Sequence, residues 1–293
     1  MPLELFHKTP AHFSFRATVY SHGWCELPPF GLDEVNWRLK YVFRDAAGKK
    51  AVFGIISEKK GGVLIELANS KIAPEQILRD TRHLLRLDDD LGGLYEAVDG
   101  HDALKWVTEK RAGRLLRSPT VWEDLVKTIC TTNCSWALTK NMVGNLVEKL
   151  GIPAGKGEKA FPTAEAMAAV SPDFYREEIR AGYRSPYFAE LAEAVASGKL
   201  DPEGWLHSDL PTPELKKEMK KVKGVGDYAA ENLLKLVGRY DGLALDSWLR
   251  SQFYKKHNAE KTCSDKKIEK HYKKFGEWRG LVIWCDMTEK WIS

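Results

Sequence analysis

The stretch spanning residues 213–248, PELKKEMKKVKGVGDYAAENLLKLVGRYDGLALDSW, constrains the fold more than any other part of the chain. It reads as a helix to about Val222 and a second helix from about Asp227, joined by the tight turn Lys223-Gly224-Val225-Gly226. Two glycines let the backbone turn sharply and let a ligand approach it with no Cβ in the way. The amides of Gly226 and the residues after it then lie at a helix N-terminus. There, free N–H groups and the positive end of the helix dipole attract anions such as phosphate. Lys216, Lys217, Lys220, Lys221 and Lys223 flank the turn and favour the same kind of partner. Taken by itself the stretch also fits a packing corner with its lysines on a solvated face. About twenty residues past the turn, Leu243-Ala244-Leu245 leads into Asp246-Ser247-Trp248. Asp246 is placed to cap a helix over residues 247–255, and a capping carboxylate remains available for chemistry.

The 293-residue chain as a whole is ordinary globular material, 43% apolar and 29% charged. That length buries a core without covalent staples, and the composition is not that of a disordered chain. The net charge of +4 permits nucleic acid as a partner without demanding it. Apolar runs such as residues 281–284 are too short to cross a membrane. The opening MPLELFHKTP lacks a basic start followed by an apolar stretch, so no secretory signal is expected. Cys25, Cys130, Cys134, Cys263 and Cys285 form no CxxC pair. Scattered, odd-numbered thiols imply a reduced, cytoplasmic setting, nucleoid-associated if the source is bacterial. No four-cysteine cluster is available for an iron–sulfur centre, and the histidines show no HxxxH spacing for a redox or hydrolytic metal.

Three regions are expected: a sheet domain over 1–100, a helical domain over 101–210, and the hairpin with the C-terminal helices over 211–293. Short β-prone runs at 13–20, 37–44, 51–57 and 62–67, parted by turn signals, read as an antiparallel sheet. Residues 69–85 have helical spacing. Thr120 with Glu123 is a capping-box spacing that opens a helix, and a second runs over 137–150 to Gly151. Ser171-Pro172, Ser185-Pro186 and Thr212-Pro213 read as cap-plus-proline starts, and Gly198 and Gly238 as stops. A last helix is expected over about 277–290. The fold class is mainly α with an N-terminal antiparallel β-sheet.

A helix–hairpin–helix followed at this distance by such an aspartate resembles the HhH-GPD superfamily of DNA glycosylases. The resemblance covers most of the chain and implies a two-lobe helical core. Thr131-Thr132-Asn133 resembles the Ser-Ser-Asn of the 8-oxoguanine enzymes. The segment 180–187, RAGYRSPY, resembles their Gly-Tyr-Arg-x-x-Tyr, and 278–284, WRGLVIW, their aromatic-bearing last helix. An N-terminal sheet occurs both in that branch and in bacterial 3-methyladenine DNA glycosylase II. By this resemblance Asp246 is the catalytic carboxylate, and Tyr228, Asn232, Trp248 and Trp284 form the base pocket. Lys223, Gly224, Val225, Gly226, Asn133, Tyr183 and Arg184 contact DNA, the last three filling the gap and wedging the stack. The carbonyls of Lys220, Val222 and Val225 hold a structural monovalent cation, K or Na; no other cofactor is required. The residues alone leave Asn133 open as a helix C-cap and Tyr183 as a half-buried core tyrosine.

The departures are informative. Tyr228 stands where bifunctional members carry the Schiff-base lysine, and a phenol forms no imine. Lys235, seven residues on, is too distant to replace it. The pocket cysteine of the oxoguanine enzymes falls on Asn232, their base-reading glutamine on Gly280, and their cytosine-reading arginine near Leu138. The expectation is therefore a monofunctional glycosylase of base excision repair acting on damaged, alkylated purines in double-stranded DNA. Trp284 would stack on an electron-poor base. A neutral oxidised or deaminated base is the alternative substrate, and a non-catalytic damage-binding protein the alternative class. A monomer is the default. Asp88-Asp89-Asp90 reads as cap and turn, Cys130 and Cys134 as packing thiols, and most tryptophans as core.

Overall fold

A computed structural model describes residues 2–292. Strands β1 (Leu3–Lys8), β2 (Gly31–Asp33), β3 (Arg38–Arg44), β4 (Ala51–Lys59) and β5 (Gly62–Leu67) form an antiparallel sheet in the order β1-β5-β4-β3-β2. Three of the expected strands are β3, β4 and β5. The fourth expectation is corrected: residues 13–20 hold helix α1 (Phe15–Val19), not a strand. Ser14 caps it by accepting from the Ala17 amide, and Phe15, Ala17, Thr18 and Val19 are all buried. The β-branched and aromatic residues there reflect burial, which strand propensity largely measures. The edge position goes to β1, paired Leu3 to Leu67 through Lys8 to Gly62.

Helices α2 (Pro74–Leu84), α3 (Gly92–Val98) and α4 (Lys105–Glu109) follow the sheet. In α5 (Val121–Thr131) the Thr120 hydroxyl accepts from the Glu123 amide, and every residue from Val121 to Cys130 is buried, so this helix is the axis of the core. After α6 (Trp136–Leu150) comes an unforeseen hairpin, β6 (Ile152–Gly155) with β7 (Glu158–Ala160). Its Ile152, Ala154 and Ala160 cover Val42, Ala51 and Phe53 on the far face of the main sheet. Then come α7 (Ala164–Ala168), α8 (Pro172–Glu177), α9 (Ser185–Ala196), α10 (Thr212–Met219), α11 (Asp227–Leu236), α12 (Ser247–His257), α13 (Asp265–Tyr272) and α14 (Arg279–Ile292).

Ser171 caps α8, but Ser185 and Thr212 are the first residues of their helices rather than caps. A 3-10 turn over Gly182–Arg184 already leads into α9, and Ser185 Oγ donates back to the Gly182 carbonyl at 2.7 Å. Gly198 and Gly238 follow the ends of α9 and α11 with φ of 73° and 93°, left-handed positions that suit glycine.

One continuous apolar cluster runs from Leu39, Ile56 and Ile65 of the sheet through Leu125 and Ile129 of α5 to Leu233 of α11 and Leu281 of α14. The three sequence regions therefore share a core. Arg86, 1% exposed, ties the first region to the third. It pairs with Asp89, bonds the Tyr240 hydroxyl at 2.6 Å and reaches the end of α11. Asp90 caps the turn into α3 by accepting from the Gly92 amide at 2.8 Å. Asp88–Asp90 is thus cap, turn and ion-pair material.

Candidate active site

The helix–hairpin–helix is α10, the turn at Lys223–Gly226, and α11. Gly224 has φ +88°, and a Cβ there would lie 3.1 Å from the Tyr187 ring. Gly226 caps α11 with nothing within 4 Å of the place its Cβ would take, so the backbone is approachable there. Val225 is buried, and only its main chain can meet a ligand. Among the described residues, four of the five flanking lysines, all but Lys217, are ion-paired. Lys216 and Lys220 both reach Asp227, Lys221 reaches Glu218, and Lys223 lies 2.6 Å from Glu190. Such exposed pairs contribute little energy. Among the described residues the carbonyls of Lys220 and Val225 accept no hydrogen bond, and that of Val222 accepts one, from the Val225 amide at 3.0 Å.

Behind the hairpin opens a cavity of about 650 Å³. Tyr228, Asn232 and Lys235 of α11 line it, spaced i, i+4, i+7 on one helical face. Asp246, Trp248, Trp284 and Trp291 complete that side. Asp246 caps α12: Oδ1 accepts from the Leu249 amide at 2.7 Å, while Oδ2 has no protein partner among the described residues. The three tryptophans form a box, with ring centroids 6.0 Å apart for Trp248–Trp284, 5.4 Å for Trp248–Trp291 and 5.6 Å for Trp284–Trp291. Trp284 Nε1 donates to the Ser21 carbonyl at 2.7 Å, which fixes its plane.

No family model matches the chain. A DNA-3-methyladenine glycosylase of Bacillus subtilis (strain 168) is 26% identical over 164 residues, which are 55% of this chain and 54% of that protein. The chain thus matches about half the length of this curated relative. The solved 8-oxoguanine glycosylase/lyase of Clostridium acetobutylicum in its apo-form superposes with a TM-score of 0.75 at 22% identity, covering 97% of this chain and 95% of that one. The 3-methyladenine DNA-glycosylase from Archaeoglobus fulgidus does so with a TM-score of 0.75 at 18% identity, covering 99% and 98%. The chain has the helix–hairpin–helix DNA glycosylase fold.

Within this glycosylase fold the sequence-expected residues separate into three groups. Asp246, Tyr228, Asn232, Trp248 and Trp284 converge on the cavity. Asn133 and Tyr183 meet outside it: Asn133 Nδ2 lies 3.4 Å from the Tyr183 hydroxyl, and Tyr183 is 52% exposed. Tyr183 is therefore no core residue. Arg184 is the correction. It is buried, and its Nε donates to the Ile129 carbonyl at 3.2 Å and the Thr132 hydroxyl at 3.3 Å. Its guanidinium lies 4.4 Å from the Tyr183 ring centroid. Arg184 holds the end of α5 and props Tyr183, and its guanidinium is buried rather than presented at the surface.

Tyr228 is held neutral, its pKa pushed up to about 12 by burial and by the nearby Asp246 carboxylate. Asn232 turns its Nδ2 back to the Tyr228 carbonyl at 3.0 Å, and its side-chain oxygen has no protein donor among the described residues. Gly280 does not line the cavity. A Cβ there would strike the Gly242 and Tyr240 carbonyls, and its amide bonds Tyr240 O at 2.7 Å. Its size lets α14 press against the loop that delivers Asp246.

Sequence reasoning gave Trp291 of the box no site role and missed two further parts of the wall. One is the N-terminal segment Tyr20, His22, Trp24 and Cys25, with Trp136 packed on Gly23. His22 is neutral, its pKa lowered to about 4 by burial. The other is Lys235, fully buried, whose Nζ donates to the Leu243 carbonyl at 3.2 Å. Its pKa is lowered to about 8, burial outweighing the attraction of Glu231 and Asp246. One further cluster lies apart from this cavity: His257, His271 and Asp286 have side-chain ligand atoms within 4.8 Å of one another. Lys256 sits 2.9 Å from Asp286 and Tyr272 bonds it too, so this carboxylate already has cationic and hydroxyl partners. No helix among the described residues is long and apolar enough to cross a membrane.

Proposed function

We propose that the chain is a monofunctional DNA glycosylase that flips a damaged purine out of duplex DNA and hydrolyses its N-glycosidic bond, with N-alkylated purines as the substrate class. The observation that carries this reading is the free Oδ2 of Asp246 at an aromatic-walled cavity whose hairpin helix presents the phenol of Tyr228. When the C1′–N bond breaks, the electron pair leaves with the base and positive charge builds on the sugar. A fixed carboxylate beside C1′ stabilises that charge. It also orients a water whose oxygen adds to C1′ and whose proton passes to the carboxylate or solvent. A cationic N-alkylpurine leaves readily without a strong acid, and the tryptophan box suits it through stacking and cation–π attraction. No imine forms at Tyr228, so strand cleavage is no part of the reaction.

The hairpin would anchor one phosphate at the open backbone of Gly224 and Gly226. Asn133 and Tyr183, adjacent and outside the cavity, are positioned to fill the space left by the flipped base. The bond-free carbonyls of Lys220 and Val225, with that of Val222, fit a monovalent cation that would brace the turn against a phosphate. A second substrate reading, a neutral damaged base, is favoured by the buried ammonium of Lys235, because a like charge in the wall opposes a cationic base.

The test is release of free bases from randomly methylated duplex DNA, identified by mass, with strand analysis before and after hot alkali. Methylpurine release with breaks only after alkali is the expected result. Breaks without alkali would overturn the monofunctional assignment. Tight lesion binding with no base released from any damaged duplex would put the chain in the non-catalytic class.

A further inference from the structure

The tryptophan box explains how a flat base is held, but not which base. Lys235 is the one cationic side chain lining the cavity among the described residues. It sits on the same face of α11 as Tyr228 and Asn232, two turns beyond Tyr228, ~10 Å along the axis at 1.5 Å per residue. Its Nζ lies 6.0 Å from the Trp284 ring centroid. An ammonium has three N–H donors. Among the described residues, the Leu243 carbonyl is the only acceptor that Nζ reaches. Two donors of a fully buried cation are therefore without protein partners beside the tryptophan expected to stack on the base. Buried polar groups otherwise find partners almost without exception.

Resting on the glycosylase reading above, we propose that Lys235 is a specificity-determining residue. Its ammonium donates to an exocyclic carbonyl oxygen of the flipped base, so the cavity selects oxopurines over positively charged aminopurines. An oxopurine supplies the missing acceptor. A cationic aminopurine brings a second positive charge and an amino donor, both opposed by the ammonium. Asn232 would complement the reading, since its side-chain oxygen is left to accept from a ring N–H. Discrimination of this kind is large when a buried donor is left unpaired by the wrong substrate.

The probes are duplexes carrying hypoxanthine, a neutral oxopurine, and methylated DNA containing cationic 3-methyladenine. Wild-type protein and Lys235→Met, close in length and uncharged, are compared under single-turnover conditions. The expected result is hypoxanthine release slowed at least tenfold in Lys235→Met, with 3-methyladenine release faster. Because release of 3-methyladenine by the variant itself reports a folded, active site, the ratio of the two rates separates selection from damage to the fold. Lys235→Gln, which keeps two donors without the charge, should recover part of the hypoxanthine rate. An unchanged ratio in both variants would overturn the proposal while leaving the glycosylase reading intact. Release of neither base by wild-type protein would overturn both.

Discussion

The guanidinium of Arg86 donates to the carbonyl oxygen of Leu236 at 2.8 Å. Leu236 ends α11, so an arginine from just beyond α2 satisfies carbonyls that the helix itself leaves open. The same side chain is paired with Asp89, which the neighbouring Arg86 and Arg117 hold ionised against the effect of burial. Removing one member of a buried ion pair costs roughly 3–5 kcal/mol, because the other is left uncompensated. Arg86→Met should therefore lower stability by about that amount in urea unfolding, with a lower midpoint and unchanged slope. A loss below about 1 kcal/mol would mean that the clamp between the sheet region and the hairpin is dispensable.

Asp246 has a cap role and a proposed chemical role on separate oxygens, and one substitution divides them. Asparagine caps helices about as well as aspartate. Asp246→Asn should keep the bond to the Leu249 amide, and with it stability within about 0.5 kcal/mol of wild type. Base release should fall by at least about a hundredfold, as for loss of a group aimed at developing charge. Lesion binding should stay close to wild type. Turnover at the wild-type rate would remove Asp246 from the chemistry.

These two cases show what the sequence conveys and why. The hairpin, the Asp246 cap, the Thr120 cap and three strands depend on neighbours within a few residues, and local chemistry reveals them. Tyr228 could be placed because it sits on a helix whose register is set by the hairpin motif, and Trp284 because the segment 278–284 resembles the aromatic-bearing last helix of the family. Lys235 is legible as position i+7 from Tyr228, but spacing bears only on its reach as an imine-forming lysine and says nothing of its burial as a donor. The wall formed by Tyr20, His22 and Trp24 comes from the region opposite in sequence, and only tertiary packing brings it to α11. The same holds for Arg184, whose motif match carried no information on burial. It holds too for His257, His271 and Asp286, which no short spacing connects.

That last cluster sets an acid limit on stability. Asp286 is 4% exposed, with His257 Nε2 at 2.6 Å, the Tyr272 hydroxyl donating to it and Lys256 at 2.9 Å. Burial raises its pKa, but these partners outweigh burial and bring it from the ordinary 3.8 down to about 2. The folded state thus binds this proton more weakly than the unfolded state does. The stabilisation is fully present above pH 4 and is lost as pH falls from about 4 through 2, an amount of about 2 kcal/mol. Urea unfolding of wild type and Asp286→Asn at steps between pH 5 and pH 2 should show the variant's stability falling less over this range by about that difference. Parallel curves for the two proteins would contradict the assignment.

Tyr228 offers the sharpest test of the proposal that this chain hydrolyses the N-glycosidic bond without cutting the strand. Its phenol faces the cavity with Asp246 close enough to raise its pKa, at the helix position matched to the lysine of bifunctional enzymes. Tyr228→Lys would place a primary amine there. Burial lowers a lysine's pKa and the neighbouring carboxylate raises it, and the neutral fraction is the one that attacks C1′ of an abasic site. The amine nitrogen adds to C1′ of the ring-opened aldehyde, the carbonyl oxygen takes up a proton to give a carbinolamine, and loss of water from it yields the imine. Borohydride should then trap a covalent complex of Tyr228→Lys with abasic duplex DNA, and none with the wild-type protein. Lys235 serves as the internal control: if wild type were trapped and Lys235→Met were not, the deeper lysine would be the nucleophile. If Tyr228→Lys gave no trapped complex while still binding abasic DNA, the hairpin helix would not bring this position within reach of C1′.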